Sequence, residues 1–248
     1  MTYCLGIKVK AGIIGISDTR ITSGHETTQA KKVFTINKEK HSFFIMTSGL
    51  RSVRDKAITY FKEIIDENDE NYNKLYKAVN AFSDQVKRAA KEDKDSLKEA
   101  GLSFNLNAIV GGQLQDDDEH KIYLLYPEGN WVEILEGARF VIIGNNGYGK
   151  PILDRAIKYN SSLEFALKAG FLSFDATRIS ANDVEYPIDV IYYVKDSFKI
   201  VEKRYKKDEL QKISRYWSSK LSESINNLPE EWMDKLFLSP SQTESNTL

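Results

Sequence analysis

The feature of this sequence that most restricts its fold is a change of hydrophobic period that happens twice in the same order. Apolar and polar residues alternate in the manner of strands through 3–10, 13–18, 33–37 and 42–47, with turn chemistry at Ala11-Gly12 and Asn37-Lys38-Glu39. From Ser52 the period becomes helical, with Ala57, Tyr60, Phe61, Ile64 and Ile65 on one stripe, and a second amphipathic stretch covers 71–91. Strand-like runs return at 104–111, 121–126, 131–135 and 139–144, and helical patterns follow at 151–159 and 162–178. A final strand pair at 188–194 and 198–204 leads into a charged helix over 207–225. Strands grouped apart from helices predict antiparallel sheets covered by helices, an α+β class with two sheets stacked between helix layers. No Pro/Gly/Ser-rich linker and no repeat of 20 to 50 residues divides the body. The expectation is one domain over 1–238, with a helical extension from about 207 and a polar tail at 239–248 that frays.

Composition narrows the function classes. The chain has 248 residues, of which 41% are hydrophobic and 29% charged, the mix of a globular domain and not of a disordered or fibrous chain. Lys plus Arg number 35 and Asp plus Glu 36, so the net charge is -1 and no global field gathers a nucleic-acid backbone. Cys4 is the single cysteine, which excludes an intramolecular disulfide and a thiolate zinc cluster within one chain. The N-terminus carries charge at Lys8, and nothing downstream approaches 18 unbroken apolar residues. A cytoplasmic location, with neither membrane nor nucleic acid as partner, is expected.

Chemistry concentrates near the start. An N-terminal threonine joins nucleophile and base in one residue, because its hydroxyl attacks while its α-amine, with a reference pKa of about 7.7–8.0, takes the proton. Thr2 follows Met1, and removal of that methionine would leave Thr2 in this position. Asp18 ends a strand-like run in Ser17-Asp18-Thr19-Arg20, and Lys32 precedes the next in Lys31-Lys32-Val33-Phe34. A lysine beside the hydroxyl would stabilise its alkoxide, and an aspartate beside that lysine would keep it charged and oriented. Gly49, in Ser48-Gly49-Leu50, would let a backbone N–H approach an oxyanion. Taken singly, these residues have ordinary readings as a turn pair, a solvated lysine pair and a strand-ending glycine.

Together, Met-Thr-x-Cys-x-Gly, Ser17-Asp18-Thr19-Arg20, Lys31-Lys32-Val33-Phe34-x-Ile36 and Thr47-Ser48-Gly49-Leu50 resemble a proteasome-type β subunit in order and spacing. Within that superfamily the chain is similar to the bacterial ancestral β-subunit group, Anbu, which Gly147 through Arg155 and Pro187-Ile188-Asp189 also fit. The resemblance extends through about Lys207. It implies the N-terminal-nucleophile hydrolase fold, a four-layer αββα sandwich. It further implies Thr2 as nucleophile, Asp18 and Lys32 as its supporting pair, an oxyanion N–H from Gly49, and a structural place for Arg20. The family's later serine would fall near 146–149, where this chain has none, so the resemblance leaves Tyr148, Asn146 or an empty position there. The last polar contact would fall around Ser180, with Thr177, Asn182 or Asp183 nearby.

Other motifs compete. Residues 144–150 match G-x-x-x-x-G-K of a phosphate-binding loop, but the next residue is Pro151 where a magnesium-binding hydroxyl belongs, and proline starts helices in its own right. Asp116-Asp117-Asp118-Glu119-His120 offers metal-type ligands on what reads as a hairpin tip, where consecutive acids do not converge on one ion. His25, His41 and His120 are scattered and lack a partner motif, and Cys4 reads as packed. The basic run 203–212 is broken by Asp208 and Glu209 and reads as a solvated helix face.

The reading is a threonine-type peptidase or amide hydrolase with no cofactor and no metal. It would self-associate as a ring or open spiral and act on peptides or unfolded protein, with any unfoldase unspecified. The alternatives are a catalytically silent scaffold of the same fold and a nucleotide-binding protein using 144–150.

Overall fold

The computed structural model describes residues 2–23, 26–39, 41–67, 72–233 and 236. Met1, His25, Phe237, the tail 239–248 and the expected helix start at Asn71 lie outside the described residues. The chain separates into two compact units, Met1–Glu209 and Leu210–Leu248.

The first unit opens with β1 (Tyr3–Val9) and β2 (Gly12–Asp18), both wholly buried. A short pair, β3 (Arg20–Ser23) and β4 (Glu26–Gln29), comes next, followed by β5 (Val33–Lys38) and β6 (His41–Gly49). Helices α1 (Arg51–Glu67) and α2 (Leu75–Glu99) precede β7 (Leu106–Leu114), β8 (Lys121–Leu125), β9 (Trp131–Glu133) and β10 (Phe140–Gly144). Helices α3 (Lys150–Ala156) and α4 (Leu163–Ser180) lead to β11 (Ile188–Val194) and β12 (Ile200–Tyr205). Helix α5 (Lys207–Asn226) runs into the second unit, and none of its residues is buried.

Two five-stranded antiparallel sheets result, ordered β10-β1-β2-β11-β12 and β5-β6-β7-β8-β9. They pack face to face through β1 and β10 on one side and β6, β7 and β8 on the other. Helix α4 covers the outer face of the first sheet, and α1 and α2 cover the second, giving the expected four-layer α+β sandwich. The central strands are therefore covered on both faces, which explains why every residue of β1 and β2 is buried although their sequences alternate. One core, including Phe43, Phe61, Phe82 and Leu106, fills the space under α1 and α2. Another, including Phe44, Met46, Ile109, Ile143 and Ile191, fills the space between the sheets.

Element order matches the sequence reading apart from one added strand pair and shifted ends, α2 running on to Glu99 and α3 stopping at Ala156. The β3–β4 pair is absent from that reading because its four-residue strands are Thr-rich and β4 is exposed, so no apolar alternation marks them. Helix α2 starts at Leu75, where Asp117 accepts the Leu75 N–H at 2.9 Å and also the Leu114 N–H at 2.9 Å. Asp117 thus caps a helix and closes a strand end at once. Its neighbours go elsewhere: Asp116 to Asn73 at 2.5 Å and Glu119 to Lys8 Nζ at 2.8 Å, so the acidic run diverges as expected. No described helix is long and apolar enough to cross a membrane.

His120 of the same run is fully buried. Its Nε2 lies 2.8 Å from the Val9 carbonyl, which fixes Nε2–H as the donor, and its Nδ1 is buried with no partner. Burial holds the imidazole below its ordinary value of 6.5; the Val9 bond and Glu119 oppose this, and the Lys8 and Lys195 charges add to it. Below pH 6.5 the unfolded chain takes a proton that the folded chain refuses, so acidification destabilises the fold through that window. Urea midpoints measured from pH 7.5 down to about 5.5 should fall for the native chain. The fall should be smaller in His120→Gln, which keeps a donor for Val9 and does not titrate.

Candidate active site

Thr2 immediately precedes β1, and the antiparallel register that sets Cys4 opposite Ser17 brings Thr2 beside Asp18 at the end of β2. On its other flank Tyr3 pairs with Gly144, and the Asn145 N–H donates to the Thr2 carbonyl at 2.7 Å. Gly144 has φ +88°, and a Cβ there would stand 2.0 Å from that carbonyl oxygen, so only glycine lets the chain pass this close. The glycine-rich loop is thus a backing for Thr2. Its Lys150 pairs with Asp154 at 2.7 Å, and Pro151 sits in the first turn of α3.

Lys32 comes from the opposite sheet. It lies one residue before β5, where its carbonyl accepts the Thr47 N–H at 3.1 Å. Its Nζ donates to Asp18 Oδ1 at 2.7 Å and to Thr2 Oγ1. Thr2 Oγ1 donates in turn to Asp18 Oδ1 at 2.8 Å, closing a triangle of hydroxyl, ammonium and carboxylate. Asp18 also accepts the N–H groups of Tyr3 at 2.9 Å and Arg20 at 3.1 Å. All three side chains are buried, with Thr2 4% exposed, Asp18 0% and Lys32 6%. Burial pushes the Asp18 carboxyl up, while the Lys32 charge and the donors from Lys32, Tyr3 and Thr2 pull the other way.

Thr2 and Lys32 open on a cavity of about 650 Å³, which Gly49 also lines. Gly49 ends β6 with φ +132°, and a Cβ there would strike the Asn105 carbonyl at 2.0 Å. Arg20 lines the same cavity, and its main chain holds Asp18. The structure therefore brings Thr2, Asp18, Lys32, Gly49 and Arg20 together. Tyr148 and Ser180 do not join them. Gly149 packs against the Ser173 carbonyl and leaves Tyr148 half exposed outside, and Ser180 is exposed at the last position of α4; neither lines the cavity. Cys4 bonds to Ser17 Oγ at 3.2 Å, and burial pushes its thiol up to about 12, so it is packed and unreactive.

The cavity also has walls that sequence reasoning missed. Thr22, Glu26 and Thr28 reach it from β3 and β4, Thr47 from β6, Arg54 from α1, and Asn105 from the segment before β7. Only the run Arg-Ile-Thr-Ser followed by Glu-Thr-Thr-Gln signalled the first group, as two short β-prone stretches.

A family profile described as "Proteasome subunit" matches residues 2–179. A search of curated proteins returns no significant match. Among solved structures, an Anbu mutant from Hyphomicrobium sp. strain MC1 superposes with a TM-score of 0.85 at 29% identity, covering 93% of this chain and 99% of that one. The helical assembly of the Anbu complex from Pseudomonas aeruginosa gives 0.86 at 26% identity, covering 92% and 97%. Anbu from Yersinia bercovieri, at 24% identity, shares the fold with a TM-score of 0.85 over 92% and 98%. With strand order, helix layers and the matched segment in agreement, the chain belongs to the proteasome subunit family.

Proposed function

We propose that the protein is a threonine-type amide hydrolase acting on peptides. The observation that carries this reading is the buried triangle of Thr2 Oγ1, Lys32 Nζ and Asp18 Oδ1 opening on a peptide-sized cavity. Once the residue before Thr2 is removed, its α-amine is free to act as base. The Thr2 hydroxyl attacks a substrate carbonyl, its proton passes to the amine, and Lys32 stabilises the developing alkoxide. A backbone N–H of Gly49 faces the oxyanion. Collapse forms an ester to Thr2 and breaks the C–N bond, and the departing amine takes the proton. Water then attacks the ester, gives its proton to the α-amine, and releases a carboxylic acid and the regenerated hydroxyl. The steps need neither metal nor organic cofactor. Asp18 positions Lys32 and Thr2 and touches no substrate atom.

Thr2→Ala should abolish both peptide hydrolysis and the mass shift produced by a peptide epoxyketone while lowering the melting temperature less than loss of either member of the ion pair does. Asp18→Asn and Lys32→Met should lower kcat by on the order of 10²-fold or more. Each also strands one partner of a buried ion pair, which costs about 3–5 kcal/mol, so a lowered melting temperature should accompany them. A chain that keeps Met1 should show no epoxyketone adduct, because its Thr2 nitrogen is an amide and not a base. Full hydrolysis by Thr2→Ala would sink the reading.

Gly144→Ala tests the backing loop. Displacing the Thr2 carbonyl should slow Thr2 labelling by about 10²-fold, since a misplacement near 1 Å carries a penalty of that size. Substrate binding, measured separately with a non-hydrolysable peptide, should change less.

We further propose that the chain self-associates into a ring or open spiral, in the manner of its helically assembled relative. Sedimentation velocity should show multiples of the subunit mass at micromolar concentration, and a purely monomeric boundary would contradict this.

A further inference from the structure

A second cavity of about 350 Å³ adjoins the first, and the two share Lys32, Thr47 and Arg54 as common wall. Because Lys32 touches Thr2 Oγ1, this wall stands beside the attacked carbonyl. A side chain on the residue that supplies that carbonyl would enter the smaller cavity.

The smaller cavity has an apolar lining and a cationic, hydrogen-bond-donating wall. Phe34, Ile45 and Ile58 supply the apolar part. Thr47 is 3% exposed, and its Oγ1 is a buried polar atom with no hydrogen-bond partner. Such an atom is costly unless a ligand completes it. Arg54, with a side chain 12% exposed, donates Nε at 2.8 Å and Nη2 at 2.7 Å to one oxygen of Asp55, which leaves guanidinium donors beyond these two. Lys62 lies over the Phe34 ring at 5.0 Å on the same wall. Lys31 and Lys32 are already matched, to Glu202 at 2.5 Å and Asp18 at 2.7 Å. Against Arg54 and Lys62 stands Asp55, which is more than half exposed at the rim. The larger cavity keeps a smaller imbalance: Arg51 is matched to Asp55 at 3.3 Å, while Arg20 faces Glu26 and its Nε is buried without a partner. A chain of net charge -1 thus lines its reactive cleft mainly with donors and cations.

We infer that the cleft selects peptides with an acidic residue, glutamate, on the acyl side of the bond cut. Its methylenes would lie on Phe34, Ile45 and Ile58, and its carboxylate would accept from Thr47 Oγ1 and Arg54. This rests on the hydrolase reading above and adds the substrate class.

The test uses the assembled protein with Thr2 exposed and four peptide epoxyketones identical except for Glu, Gln, Leu or Lys next to the warhead. Labelling of Thr2 is followed by intact mass. The Glu probe should label at least about tenfold faster than the isosteric Gln probe, the factor one charge-assisted hydrogen bond supplies. The Lys probe should be slowest, and the Glu advantage should narrow as salt is added. Arg54→Gln and Thr47→Val should each shrink the Glu-to-Gln ratio, with the Gln probe reporting that Thr2 is still reactive. Labelling by Gln, Leu or Lys as fast as by Glu overturns this inference and leaves the hydrolase reading intact. An unchanged ratio in both variants overturns it as well. No labelling by any probe removes both readings.

Discussion

The buried ion pair between Asp18 and Lys32 is the interaction on which the site depends, because its two partners come from different sheets. Asp18 ends β2 in one sheet, and Lys32 leads into the edge strand β5 of the other. A carboxylate and an ammonium removed from water are costly unless they are paired and their remaining capacity is filled. Here the carboxylate accepts from Lys32, Thr2, Tyr3 and Arg20, so the pair is satisfied only when the two sheets are stacked in this register. The packing of the sandwich and the geometry of the cleft are therefore one requirement.

That requirement explains where glycine is demanded. At Gly144 a side chain would press on the Thr2 carbonyl, and at Gly49 on the Asn105 carbonyl. Both positions have φ values that favour glycine, and both border the cleft. The loop that resembles a phosphate-binding motif owes its glycines to this closeness. A structural turn and the chemistry of the cleft meet in the same residues, with Gly144 against Thr2 and Gly149 against α4.

Much of this is legible in the sequence. The strand runs, the paired helices and their order follow from hydrophobic period, and β11 falls at the expected residues. The grouping of Thr2, Asp18 and Lys32 was legible through the resemblance that their motifs carry, and the structure supplies the physical reason: all three sit at strand ends, where the stacked antiparallel sheets bring residues distant in sequence to one edge. Tyr148 and Ser180 went astray for a physical reason. They belong to a loop and a helix terminus, both exposed, and the side to which such positions face is set by tertiary packing and not by any period in the chain. The β3–β4 pair escaped because polar strands carry no burial signal.

The sequence by itself determined the α+β class, the order of layers and which short polar residues end the first strands, since these depend on local period and on turn chemistry. Only the tertiary structure decided that Thr47, Arg54 and Thr22 share a cleft with Thr2. They come from β6, α1 and β3, and nothing in spacing along the chain encodes which faces of three separate elements meet. It also decided the environment of the ionisable groups. Burial opposes the charge on Asp18 and holds His120 below its ordinary value, and burial is a property of the packed sheets and not of any residue read alone.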